Sequence, residues 1–243
     1  MRSTRSRTLE DWEAVPIAAP LEDAGEAAGI RRAWTPIRVP WHWQLEAAFA
    51  AYEGIVLYRC RFAQQQRPPE GAMLSLRFAG VYYAARVWLN GIYLGEHEGY
   101  FFAFEFDVTD IVAPNGENDL LVEVFSPEES EENDRKTIGG VWARWDGMAP
   151  HINPGGIFKE VSLVLDGGVR IRPLAAAADH TGCGVVHVDL YSKYNSRARL
   201  VGRVRPLGFE APDVEFEREV QVEEGENRFE IGFHVPDVRV WST

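Results

Sequence analysis

Along most of this 243-residue chain, apolar and polar positions alternate with a period of two. In MLSLRFAG, Leu74, Leu76 and Phe78 share one face while Ser75 and Arg77 share the other. FFAFEFDVTD sets Phe102, Phe104, Phe106 and Val108 against Ala103, Glu105 and Asp107. The pattern continues in NDLLVEVF and IFKEVSLVL, and ARVWLNGIYLG reads as two strands joined at Asn90-Gly91. That dipeptide is a strong hairpin signal because a type I′ turn needs positive φ at two consecutive residues. No segment sustains a 3.6-residue stripe, so the pattern predicts an all-β sandwich. The alternating phenylalanines 102, 104 and 106 are expected in its core. Asp107 and Asp110 are expected to bond local backbone at a strand end.

Residues 1–35 carry Ala, Glu and Pro with little periodicity and read as an N-terminal extension, with one short helix in LEDAGEAAGIRRAW. A break is expected at Asp166-Gly167-Gly168, which closes a first domain over residues 36–168. The strands then restart over 169–243. VVHVDLYS points Val186, Val188 and Leu190 inward, and Phe229, Ile231, Phe233 and Val235 alternate with polar residues after a turn at Gly225-Glu226-Asn227. Short strands at this spacing predict an immunoglobulin-like sandwich, expected to be incomplete because such a domain needs about 100 residues.

Composition narrows the partners. Twenty-five basic residues against 37 acidic ones give a net charge of −12. Such a surface repels phosphate backbones and anionic membranes, so neither nucleic acid nor membrane is an expected partner. The N-terminus lacks an apolar signal core and no apolar run reaches the length of a spanning helix, which makes a cytoplasmic location the simplest expectation. The two cysteines, Cys60 and Cys183, are far apart and are expected to be buried free thiols. The histidines show no metal-ligand spacing, and no nucleotide-binding or hydrolase motif is present, so neither cofactor nor metal is expected. His187 and His234 are expected to face solvent.

One segment departs from strand-and-turn grammar. GVWARWDGMAPHINPGGIF, residues 140–158, sets Trp142, Trp145, Asp146 and Asn153 among glycines and prolines. Its tryptophans have two readings. They could plug the end of the sandwich, with each indole N–H bonded to a carbonyl. Alternatively, an indole face could carry the C–H face of a sugar ring while Asp146 accepts hydrogen bonds from hydroxyls. A covered carboxylate needs a partner, which points Asp146 towards a ligand.

The motifs VPWHWQL (39–45), YRCRF (58–62), LRFAGVYYAARVWLNGIYLGEHEGYFFAFEFDVTD (76–110), NGENDLLVEV (115–124) and GGIFKEVSL (155–163) occur in that order. Together they resemble the N-terminal sugar-binding domain of glycoside hydrolase family 2, which includes β-galactosidases, β-glucuronidases and β-mannosidases. The resemblance covers residues 35 to 165 closely and the following immunoglobulin-like domain less specifically. It implies a galactose-binding-like jelly roll, then an immunoglobulin-like sandwich, then a TIM barrel carrying both catalytic glutamates of a retaining mechanism. A barrel takes roughly 250 residues, so this chain is expected to contain no catalytic residue and to be inactive alone. The resemblance also implies that the loop before GGI reaches the mouth of the barrel. There Asp146, with Trp145, Trp142 and Asn153, would contact a terminal β-linked sugar. RKTIGGVWARWDGMAP is similar to a Trp-Asp-Trp-Gly-Pro pattern of the mannosidase-like branch, but departs from it at Met148 and Ala149, which leaves the sugar open.

Three functions follow: the non-catalytic front of a β-glycosidase partnered by its barrel, a free-standing carbohydrate-binding module, and a structural module whose aromatics dock another protein. Uncovered edges and apolar surface also lead to an expectation of self-association.

Overall fold

A computed structural model describes residues 4–50, 52, 54–126, 155–172, 174–236 and 238. The chain is all-β and divides into two compact units. The larger contains residues 4–69 and 74–165, and the smaller contains residues 70–73 and the chain from Asp166 onward.

The larger unit is a sandwich of two antiparallel sheets. Its strands are β1 (Arg5–Thr8), β2 (Trp12–Ile17), β3 (Thr35–Ile37), β4 (Gly54–Gln64), β5 (Met73–Phe78), β6 (Ala84–Leu89), β7 (Ile92–Glu98), β8 (Phe104–Asp107), β9 (Gly116–Ser126) and β10 (Val161–Asp166). One sheet runs β1-β10-β5-β8 and the other β3-β2-β4-β9-β6-β7. Alternation places Val56, Tyr58 and Cys60 of β4, Val87 and Leu89 of β6 and Leu120, Val122 and Val124 of β9 in one core with Leu74, Leu76 and Phe78 of β5. Neighbouring strands in fixed register turn a period of two into one continuous apolar layer.

Residues 5–17 are not an extension. They form β1 and β2, which pair with β10 and β4. The periodicity missed them because β1 is exposed along its length and β2 buries residues on both faces. The expected short helix is a 3-10 turn, Ala24–Gly29, whose Asp23 carboxylate caps Gly25 N. Around it, Leu21 and Ala27 cover Val15, Leu57, Trp88 and Leu121 on the outer face of the six-stranded sheet. Glu123 lies buried beneath this cover. It accepts from Leu21 N at 2.7 Å and pairs with Arg86 at 3.1 Å, while Arg86 donates to Leu21 O. A covered ion pair persists only when its remaining lone pairs are satisfied, and here the backbone of residue 21 supplies that bond.

The Asn90-Gly91 hairpin forms as expected, with φ of 53° and 81°. Asn90 also bonds across the sheet, donating to Ile111 O and to Asn118 Oδ1 and accepting from Asp119 N. Asn118 is fully buried; it also accepts from Ala113 N at 2.7 Å and donates to Ala113 O at 3.2 Å. Asp107 bonds Thr109 N and Oγ1, and Thr109 Oγ1 accepts from Leu74 N. Phe102 is a correction: it is 77% exposed. Its partner strand explains this, because the β5–β8 ladder ends at Phe78–Phe104 and, among the described residues, no strand pairs with residue 102.

In the smaller unit, β11 (Val169–Ile171), β12 (Ala175–Ala178), β13 (Cys183–Ser192) and β16 (Gly225–His234) form one sheet, and β14 (Ser196–Val204) and β15 (Val214–Val222) form another. Val186, Val188, Leu190, Val220, Val222 and Ile231 build the core between them. The turn before β16 lies at Glu223-Glu224 rather than at 225–227. Asn227 clamps it, accepting from Glu223 N and donating to Glu223 O. The Asp166 carboxylate accepts from Gly168 N and pairs with Arg170, holding the break that the two glycines marked. The two thiols differ. Cys60 is buried, and Cys183 is exposed because its position in β13 is out of phase with the inward valines.

Asn118→Ala should destabilise the larger unit by about 3 kcal/mol, since it leaves several buried backbone and side-chain groups without partners. A lower urea midpoint at unchanged denaturant slope is the expected outcome.

Candidate functional site

The sequence points to the segment before GGI, and the structure fixes where that segment leaves and rejoins the sandwich. On one side, Tyr83 N donates to Phe125 O at 3.2 Å near the end of β9; on the other, Gly156 and Tyr82 exchange two backbone bonds of 2.9 Å. Two consecutive tyrosines therefore hold both flanks together. Trp142, Trp145, Asp146 and Asn153 lie outside the described residues, as does the acidic run 128–134.

Gly155 and Gly156 are required by what packs on them. Trp43, fully buried in a 3-10 turn (Trp43–Leu45), lays its indole against Gly155, and a Cβ at 155 would fall inside that ring. Gly156 has φ of 116°, a conformation L side chains rarely adopt, and a Cβ there would come within 2.8 Å of Tyr58 Oη. Four backbone bonds tie residues 155–157 in place. Trp41 N donates to Ile157 O and Trp43 N to Gly155 O, both at 2.9 Å, in addition to the two shared with Tyr82. Gln44 adds a side-chain bond, its Oε1 accepting from Gly155 N at 3.0 Å.

Aromatic rings surround this root. Tyr82 and Tyr83 are buried against Tyr100 and Phe158. His42 stacks on Phe158 with ring centres 5.3 Å apart, and Lys159 Nζ lies 5.5 Å from the same ring. The Tyr100 ring lies tilted against Phe101 with centres 4.3 Å apart, and Phe101 and Phe102 stand 73% and 77% exposed. Polar groups are few but available. Trp41 Nε1, His42 Nδ1 and Gln44 Nε2 are enclosed and have no hydrogen-bond partner among the described residues. Flat apolar faces beside a few unsatisfied polar atoms suit a ligand that is partly apolar and partly hydroxylated, or a complementary protein surface.

Burial holds the His42 imidazole below its ordinary value, with a backbone bond at Gly155 acting in the opposite sense. His97, stacked on Phe104 at 4.2 Å, is lowered for the same reason, opposed by a backbone bond at Gly99. Both imidazoles are therefore neutral at pH 7. Sequence reasoning missed this ring of aromatics. Its one visible signal was Tyr82-Tyr83, which interrupts the alternation just before β6.

Residues 44–155 match the family described as glycosyl hydrolase 2 galactose-binding domain-like. A β-galactosidase of Thermoanaerobacter pseudethanolicus is 34% identical over 98 residues, which is 37% of this chain and 13% of that protein. A mannosylglycoprotein endo-β-mannosidase of Lilium longiflorum is 33% identical over 127 residues, 47% of this chain and 13% of that protein. The solved β-glucuronidase of Bacteroides uniformis superposes on 99% of this chain and 29% of its own, with a TM-score of 0.70 at 16% identity, and so shares the fold. The chain thus spans a small part of the length of its relatives. Over residues 44–155 the chain is thus similar to the galactose-binding-like domain of glycoside hydrolase family 2.

Two outcomes check the site. Gly155→Ala should cost about 3 kcal/mol or more by forcing Trp43 from its seat, read as a lower melting temperature and a shifted tryptophan emission. NMR titration should place His42 and His97 below about 6.5, the ordinary imidazole value. A lowered histidine costs nothing above that pH. Below it the unfolded chain binds protons that the folded chain refuses, so stability should fall as the solution is acidified from pH 6.5 to 5.

Proposed function

We propose that this chain is the non-catalytic front of a family 2 β-glycosidase, bracing a catalytic barrel and lending the loop rooted at Gly155-Gly156 to the wall of the sugar site. One observation carries the reading. The segment that includes Trp145 and Asp146 is anchored on both flanks within an aromatic rim, in a domain of a family whose relatives include a β-galactosidase and an endo-β-mannosidase. Asp146 is the proposed acceptor for hydroxyls of a terminal β-linked sugar, with Trp145, Trp142 and Asn153 around it. Rigid anchoring suits that role, since a positioning group must hold its geometry without help from the ligand.

The purified 243-residue chain should not hydrolyse 4-nitrophenyl β-galactoside, β-glucuronide or β-mannoside, and robust turnover would overturn the proposal. In a protein where this chain is joined to a barrel, Asp146→Ala should reduce kcat/KM for those substrates at least tenfold while leaving the melting temperature within a degree or two. An unchanged kcat/KM would remove Asp146 from the site.

A second reading, a free-standing carbohydrate-binding module, is favoured by the exposed Phe101 and Phe102 beside Tyr100. It predicts calorimetric binding of a monosaccharide or oligosaccharide by the isolated chain, weakened by Phe101→Ala. The same exposed rings support self-association, which sedimentation at high protein concentration would detect.

A further inference from the structure

The smaller unit holds a pair of groups that a sugar-site role leaves unused. Cys183 opens β13 and His234 closes β16, and the two residues are directly opposite in the antiparallel register. The thiol is exposed, and its Sγ lies 3.6 Å from His234 Nδ1. Both side chains point away from the core: Val186 and Val188 define the inward face of β13, and Phe229 and Ile231 that of β16.

The backbone around the pair is held in place. Asp179 N donates to Cys183 O at 2.9 Å, and Asp179 Oδ1 accepts from Cys183 N at 3.2 Å and from Thr181 N at 2.8 Å. Gly182, at φ of 85°, sits against the Val235 carbonyl and accepts from Val235 N at 2.9 Å, which ties the residue before the thiol to the residue after the imidazole. The thiol and imidazole therefore face each other across two strands whose ends are bonded together.

We propose that Cys183, with His234 as its positioned base, is a modification site that forms a mixed disulfide with low-molecular-weight disulfides. With its proton on Nε2, the imidazole presents a lone pair at Nδ1 to the thiol hydrogen. As sulfur attacks R–S–S–R, the S–H proton passes to Nδ1, a protein–S–S–R bond forms and the R–S–S–R bond breaks. The departing thiolate then takes the proton from the imidazole and leaves as R–SH. The incoming disulfide is the only oxidant the step requires. Thiol reactivity depends on access and on a neighbouring base or cation, and this site supplies both.

Cys60 provides an internal contrast. It is buried, donates to Glu10 O at 3.0 Å, and is pushed up to about 12, first by burial and then by the charge of Asp11. Of the two thiols, one should react in the folded protein and the other only after unfolding.

Among the described residues, the other titratable groups near the pair are few. Asp179 and His180 lie in the turn before β13, and His187 pairs with Glu230 at 3.1 Å two register steps along the same face. Further along, Arg228 pairs with Asp189. β12, the neighbour on the other side of β13, is four alanines and brings no charge.

The test uses the full chain and the neutral probe 4,4′-dithiodipyridine, following thiopyridone release and intact mass. At pH 7 one equivalent should react at least ten times faster than an unstructured cysteine peptide, and the second only in urea. Cys183→Ser should abolish the fast equivalent. His234→Gln, which keeps the strand position and the melting temperature, should slow it at least tenfold and steepen its loss of rate between pH 7 and 6. Cystamine should yield a mixed disulfide at Cys183 by mass, reversed by reductant. Equal rates and pH profiles for the wild type and His234→Gln would overturn the proposal, leaving only an exposed thiol. So would simultaneous reaction of both cysteines.

Discussion

The packing of one indole on one glycine holds one end of the larger sandwich together, where the segment before GGI rejoins it. Trp43 is fully buried against Gly155, so residue 155 can carry no side chain, and the backbone there runs close enough for both neighbouring segments to bond it. The turn at 41–45 binds it from one side and Tyr82 from the other. The contact lies at neither a sheet centre nor a hairpin; it converts an irregular crossing into a fixed one. Beside it lie the stack of His42 on Phe158, the tyrosine pair and the three enclosed polar atoms of Trp41, His42 and Gln44.

The larger sandwich was legible wherever a strand has one wet and one dry face. β5, β9 and the β6–β7 hairpin announced themselves through alternation and through Asn90-Gly91. Three features were not legible, each for a local physical reason. β2 serves two cores, since Trp12 and Ala14 pack into the sandwich while Val15 packs outward under Leu21 and Ala27, so it shows no period of two. β1 is exposed throughout and is held by its pairing with β10. Phe102 follows the alternation but lies beyond the end of its partner strand.

The candidate site was legible as a segment but not as a place. Trp145 and Asp146 drew notice by composition, whereas the described root of their segment is built from residues far apart in sequence: His42 and Gln44 from one turn, Tyr82 and Tyr83 before a strand, Tyr100 after another. Such convergence leaves no local pattern, because each residue satisfies only its own segment's chemistry. Ordered family motifs carried the reading further than periodicity could, and the match of residues 44–155 to a galactose-binding-like domain agrees with the resemblance they carry.

The hairpin at Asn90 illustrates how a turn residue can serve two structural demands at once. Asp-Gly is the other common spelling of this turn, and an aspartate tolerates the same backbone angles. Here the Asn90 amide nitrogen must donate to Ile111 O and to the buried Asn118, which a carboxylate cannot do. The tip of one hairpin is thereby stitched to the long connection leading into β9, and the alphabet at position 90 shrinks from the several residues the turn accepts to one. In this fold, the amide that shapes the turn also records which loop lies behind it.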